Sequence, residues 1–271
     1  MKTAILQMNS GDCPEENLQS LELMVCEAAQ AGAQLVASPE ASLYMGRDKG
    51  KHLEIPGKSA GLCRCSELAR KLGIFLHLGS CYTSSPDPER FYNESFFFGP
   101  DGKILANYAK THCFDVSIQG RIYRESRHIE PGNKLVTCPI QVGSEHFVLG
   151  FAICYDLRFA DLFHTLSRKG ANLFLVPSAF TQASGELHWH ILLRSRALDY
   201  GSYVLAPSQC GESSEGCSYG HALIVDPCGH ILAEAGEQPE IIYAELREEE
   251  IQRQEESFGV RKNRRDDLYI S

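Results

Sequence analysis

Apolar residues never run unbroken for anything near the ~18 positions that a helix needs to cross a bilayer. The first apolar stretch, after Lys2 in MKTAILQMNSGD, is closed at once by polar residues. It is too short for a secretory hydrophobic region, and a first buried strand is expected instead. Positive charge is also scarce. Lys and Arg number 26 against 35 Asp and Glu, which leaves a net charge of −9 and a pI near 5.6. That balance argues against binding along a nucleic-acid backbone. The basic run at 261–265 has acidic neighbours and is expected to be a surface or subunit-contact segment. A Pro/Gly/Ser linker and short repeats are both missing, so a single domain over residues 1–271 is expected. The 11 cysteines are odd in number and form neither C-x-x-C nor zinc-finger spacing; the nearest pair is Cys63-Arg64-Cys65. Most are expected to be small buried hydrophobes, with one or two left for chemistry. A cytoplasmic protein with no membrane or nucleic-acid partner is expected.

What is present is a chain long enough for a large core, with 43% hydrophobic and 23% charged residues. Strand-like and helix-like runs alternate from the start. Strands are predicted at 3–8, 34–37, 74–79, 93–98, 104–109, 146–153, 173–177, 203–207 and 241–246, with a hairpin over 221–226 and 230–233. Helices are predicted from Pro14 onward, over 59–72, 159–169 and 189–200, and after 246. The last of the bounded helices is expected to turn Leu192, Leu193 and Leu198 inward. Single strands alternating with helices, interrupted by hairpins, predict an α/β architecture with mixed sheets.

Three predicted strands deliver reactive side chains at their ends. Cys154 closes the apolar run EHFVLGFAIC and precedes a helix. A cysteine there is either structural or a rigidly held nucleophile, with uncommitted backbone N–H groups beyond it to receive an oxyanion. Glu40 follows 34–37 and could cap a turn or act as a general base. Lys110 follows 104–109 and could be a surface residue or a site cation. A thiol needs a base, a tetrahedral intermediate needs positive charge, and a leaving amine needs a proton, so the trio is chemically coherent. Spacing alone does not make the three converge.

The segments Ser38-Pro39-Glu40-Ala41, Tyr108-Ala109-Lys110-Thr111-His112 and Ile153-Cys154-Tyr155-Asp156-Leu157-Arg158-Phe159 resemble the Glu-Lys-Cys triad of the carbon–nitrogen hydrolase (nitrilase-like) superfamily. The likeness continues through Pro131-Gly132, Pro177-Ser178-Ala179-Phe180, Gly185-Glu186-Leu187-His188-Trp189, Ser218-Tyr219-Gly220-His221 and Asp267-Leu268-Tyr269. It is strongest to the branch of deaminated glutathione amidase and omega-amidase. The resemblance implies a four-layer α-β-β-α sandwich. It also implies Glu40 as general base, Lys110 as stabiliser of the intermediate, Cys154 as nucleophile, and Glu125 as a second site glutamate. The Tyr155 backbone N–H would share the oxyanion, and neither metal nor organic cofactor would be needed. His112, His188 and His190 would be pocket or packing residues.

The implied substrate is a small ω-amide that carries a carboxylate, cleaved to acid and ammonia through a thioester. Candidate substrate contacts are Arg158, Phe180, Thr181, His188 and Tyr44, with Tyr219 beside them. Arg158 either binds substrate or pairs with Asp156 or Glu186. An N-carbamoyl amino acid hydrolase and a catalytically silent binding protein are the competing readings. A homodimer is implied, with the tail at 255–271 reaching across. The chain departs from its relatives at Ala160, Asp161, Cys228 and Gly259-Val260-Arg261, none of them in the triad.

Overall fold

A computed structural model describes residues 1–118 and 120–268. The chain opens with β1 (Lys2–Met8), α1 (Pro14–Gln30), β2 (Leu35–Ala37), α2 (Ala60–Leu72), β3 (Phe75–Ser84), β4 (Phe91–Phe98) and β5 (Ile104–Ala109). A small ribbon follows, β6 (Asp115–Ile118) and β7 (Arg121–Arg124), then β8 (Thr137–Val142), β9 (Glu145–Phe151), α3 (Ala160–Arg168) and β10 (Leu173–Leu175). The remainder is α4 (Gln182–Tyr200), β11 (Tyr203–Ala206), β12 (Ser208–Ser213), β13 (Gly216–Tyr219), β14 (Leu223–Val225), β15 (Ile231–Glu234), β16 (Glu240–Glu245) and α5 (Glu248–Phe258).

Two mixed sheets result. The first runs β13-β12-β1-β2-β3-β4-β5, with β16 antiparallel to β1; the second runs β15-β14-β11-β10-β9-β8. Side-chain alternation along the strands then builds the layers. In the first sheet Ala4, Leu6, Val36, Phe96 and Phe98 pack with Leu18, Leu21 and Val25 of α1 and Leu62 and Leu68 of α2. The residues between them, Ile5, Leu35, Ala37 and Phe97, face the other way and join Phe147, Leu149 and Phe151 of the second sheet. Leu162 and Phe163 of α3, with Trp189 and Leu193 of α4, cover the far side. The order is therefore helices, sheet, sheet, helices: the four-layer α-β-β-α sandwich that the resemblance implied.

Most predicted elements appear within a few residues of their expected bounds. Strand 74–79 instead continues to Ser84, past an irregularity between Leu78 and Cys81, because its second half pairs with residues 91–94. The helix expected at 189 begins at Gln182, where the Thr181 side chain accepts a bond from the Ser184 amide. Leu198 is 45% exposed rather than inward. The β6–β7 and β12–β13 pairs and β8 were not predicted. Their sequences, such as DVSI, RIYR and SQCGES, are polar or broken by proline, so apolar periodicity has nothing to register.

The C-terminal segment docks on its own chain as far as it is described. Arg261 donates to the carbonyls of Tyr200 and Ala171 and to Ser202 Oγ. Tyr269, the end of one resembling segment, lies outside the described residues. Among the described residues, no helix is long and apolar enough to cross a membrane.

Phe97 is fully buried between the sheets, stacked on Phe75 and edge-on to Phe151. Replacing it by alanine is expected to cost about 3–5 kcal/mol in urea unfolding. Leu105→Ala, on an exposed side chain, is expected to stay within about 0.5 kcal/mol. His77 is buried beside it, bonded to Ser95 Oγ at 2.8 Å, and burial pushes its pKa down to about 3. Its stabilising contribution is complete above the ordinary histidine pKa of about 6.5 and is lost as pH falls toward 3, because the unfolded chain binds the proton first. Urea titrations between pH 7 and pH 4 should therefore show a loss of stability that is shallower in His77→Gln.

Candidate active site

Glu40, Lys110 and Cys154 leave β2, β5 and β9 at the same end of the two sheets. The turn 38–42 that presents Glu40 is fastened from several sides. Ser42 Oγ donates to the Pro39 carbonyl at 2.6 Å, and the Ala41 amide donates to Ser80 Oγ at 2.8 Å. Gly79 lets this turn lie flat on β3, since a Cβ there would stand 2.1 Å from the Ser38 carbonyl and 2.3 Å from that of Pro39. Gly132 does the same for the lysine segment: its amide donates to the Lys110 carbonyl at 2.8 Å, and a Cβ would meet the Ala109 carbonyl at 2.2 Å.

Lys110 is 2% exposed. Its Nζ donates to Glu40 Oε1 at 3.0 Å and to Glu125 Oε1 at 2.9 Å. Burial alone would lower its pKa, but Glu125, Glu40 and Cys154 outweigh it and hold the ammonium well above its ordinary range. Asn93 Nδ2 donates to the same Glu40 oxygen at 2.8 Å, and Glu125 Oε2 accepts from the Phe114 amide.

Cys154 has a φ of +50°, a left-handed conformation that costs a non-glycine residue roughly 1–3 kcal/mol. Its amide donates to the Pro177 carbonyl at 2.9 Å, which pins the Cys154 turn to the strand end beside it. Cys154 shares the cavity wall with Glu40, Lys110 and Ala179. Burial pushes the thiol pKa well up, the Glu40 carboxylate adds to this, and Lys110 opposes it. At rest the site therefore holds a thiol beside a carboxylate and an ammonium. A proton can pass from Sγ to Glu40 when a substrate carbonyl engages the cation. Tyr155 opens the turn after Cys154, where backbone N–H groups lack intrahelical partners.

Asp156 ties the lysine segment to the cysteine turn. It is fully buried and accepts bonds from Tyr108 Oη at 2.7 Å, Thr111 Oγ1 at 2.9 Å and the Ile153 amide at 2.9 Å. The His112 amide donates to it as well, and the His112 ring bonds it while stacked on Phe159. Asp156 is thus fully engaged and does not pair with Arg158. Glu186 is bonded by Gln182 instead.

These groups line a cavity of about 440 Å³. Arg158, Phe180, Thr181 and Tyr155 line it too. Arg158 has no carboxylate partner among the described residues. It stacks near the rings of Tyr155 and Phe180 and touches His188 Nδ1 at 3.2 Å. His188 therefore stands behind Arg158 rather than on the wall. Thr181 Oγ1 faces the cavity but is shared with the cap of α4. Tyr44 does not line the cavity; it packs against His52, ring centroids 4.2 Å apart, and its neighbours Met45 and Arg47 take the place expected for it. The mouth also carries Lys49, Arg121 and Glu215, which sequence reasoning missed because they come from loops and the β6–β7 ribbon. Asn93 was missed as well. Its one signal is a polar residue at an inward position of β4.

A model of the family described as "Carbon-nitrogen hydrolase" matches residues 2–255. The chain belongs to the carbon–nitrogen hydrolase family. It is a hydrolase acting on carbon–nitrogen bonds. It is 36% identical to the deaminated glutathione amidase of Mus musculus, over 99% of this chain and 84% of that protein. It is 38% identical to the omega-amidase NIT3 of Saccharomyces cerevisiae, over 99% of this chain and 94% of that protein. Among solved structures it superposes on the NitFhit protein of C. elegans with a TM-score of 0.90 at 33% identity, covering 99% of this chain and 66% of that one. In this hydrolase Gly79→Ala is expected to displace the Glu40 turn and lower turnover by about a hundredfold, since catalytic geometry tolerates little misplacement. Circular dichroism of the variant should match the parent while steady-state assays record the loss.

Proposed function

We propose that the protein is a cysteine-dependent amidase that converts a small carboxylate-bearing ω-amide, of the deaminated glutathione or 2-oxoglutaramate type, to acid and ammonia. The observation that carries this reading is an unpaired Arg158 facing the same cavity as Glu40, Lys110 and Cys154. Arginine offers a two-pronged fork for a carboxylate. The names of the relatives point to the same chemistry.

Glu40 takes the proton of Cys154 as the sulfur attacks the amide carbonyl. Lys110 and the Tyr155 N–H hold the developing oxyanion, while Glu125 keeps the lysine charged and aimed. The C–N bond breaks as Glu40 returns the proton to the leaving nitrogen, and ammonia departs. Glu40 then accepts a proton from water as the oxygen attacks the thioester, the C–S bond breaks to release the acid, and Glu40 returns the proton to the Cys154 sulfur. A homodimer belongs to this reading. It is supported by Leu187 and Ile191, 72% and 67% exposed and one turn apart on α4. A cytosolic location is supported by eleven free thiols, which suit a reducing compartment.

The test is ammonia release from 2-oxoglutaramate, deaminated glutathione and an N-carbamoyl amino acid assayed side by side. Activity on a keto amide, absent in Cys154→Ala, is expected. Turnover of the carbamoyl compound alone would move the protein to that class, and silence on all three would favour a binding role. Arg158→Ala should raise KM for the acidic amides at least tenfold and leave that for a neutral short-chain amide within about twofold, because only the former loses a charge-assisted bond.

A further inference from the structure

Away from the cavity, α4, the turn after β13 and β15 bring three potential ligand atoms together. Glu234 Oε1 lies 2.9 Å from His190 Nε2 and 3.0 Å from His221 Nδ1, and all three lie within 4.8 Å of one another. Tetrahedral zinc with bonds of about 2.0–2.1 Å to nitrogen and oxygen spaces its ligands roughly 3.3 Å apart. The two distances to Glu234 are therefore already near that spacing. Their side chains keep 33%, 24% and 35% exposure for His190, His221 and Glu234, so a hydrated ion has access.

The backbone around His221 is set for this aim. Its φ of +55° is a left-handed conformation unusual for histidine. The strain is held by Trp189 Nε1, which donates to the His221 carbonyl at 2.7 Å, and by the His221 amide, which donates to the Gly236 carbonyl at 3.2 Å. Tyr219 packs against the imidazole face, ring centroids 4.5 Å apart. These contacts fix where the His221 ring stands relative to Glu234. Among the described residues no other group of three His, Cys, Asp or Glu side chains meets the same spacing.

We propose that His190, His221 and Glu234 form a binding site for a divalent transition metal of the zinc type, with water in the remaining position. Two imidazoles and one carboxylate are the donor set such ions prefer over magnesium or calcium. On binding, each imidazole would offer the metal the lone pair of the nitrogen that faces Glu234 and carry its proton on the other ring nitrogen. The ion would clamp α4 to β15 beside Trp189, whose indole packs on the cavity-wall residue Phe180 with ring centroids 4.9 Å apart. The site is independent of the amidase reading and involves none of its reacting groups.

The experiment titrates the full-length, chelator-treated protein with Co²⁺ and then Zn²⁺, following visible d–d absorption and calorimetric stoichiometry. One Co²⁺ per chain is expected, with a nitrogen and oxygen spectrum, no thiolate charge-transfer band, and displacement by Zn²⁺. His190→Ala and Glu234→Ala should each weaken binding at least tenfold while circular dichroism of the metal-free proteins is unchanged. Absence of binding, a thiolate spectrum, or binding that survives both substitutions would overturn the proposal. Should His190→Ala unfold, His190→Asn at the same position gives the same readout.

Discussion

Everything in the active site depends on one buried cation. Removing an ammonium from water costs several kcal/mol, and Lys110 is stable in its position because it bonds two carboxylates, Glu40 and Glu125. The requirement is mutual. Glu40 is buried as well, and its carboxyl is bonded by Lys110 and Asn93. Cys154 completes the group as a neutral thiol, held protonated by burial and by Glu40.

That arrangement needs rigid supports, and they are backbone devices. Gly79 and Gly132 let two chain segments touch the strands behind them, and Cys154 accepts a strained φ. Asp156 joins the turn bearing the nucleophile to the segment bearing the lysine through bonds from both. The two sheets supply the frame, but Asp156 sets the distance between a residue leaving the first sheet and a residue leaving the second. Arg158, freed from that network, is left to face the cavity.

Much of the fold was legible in local sequence. Short apolar runs in β1, β2 and the end of β9 reflect strands buried on both faces, and helical spacing in α1 and α2 reflects burial of one face, so both are recorded in the local pattern. The polar pairs β6–β7 and β12–β13 were not legible, because nothing in them is buried in a pattern; they exist as walls of a cavity and the edge of a sheet. The start of α4 was missed because its first turn is polar and its cap is a single threonine. Among site residues, Glu40, Lys110 and Cys154 stood at strand ends and invited attention. Tyr44 was misplaced because its ring turns toward His52, a choice of rotamer and not of sequence.

By itself the sequence determined the alternation of elements, the absence of a long apolar span, and three reactive side chains following three apolar strands. Its likeness to known hydrolases supplied roles for them. Only the tertiary structure decided that residues 40, 110, 125 and 154 share one pocket, that Asp156 is spent on the frame while Arg158 is not, and that His190, His221 and Glu234 meet on another face. The reason is range. Burial of a strand or helix face is set by neighbours a few residues away. The meeting of these side chains is set by packing between segments far apart in the chain, as where Lys110 reaches Glu40 across 70 residues, which no local pattern encodes.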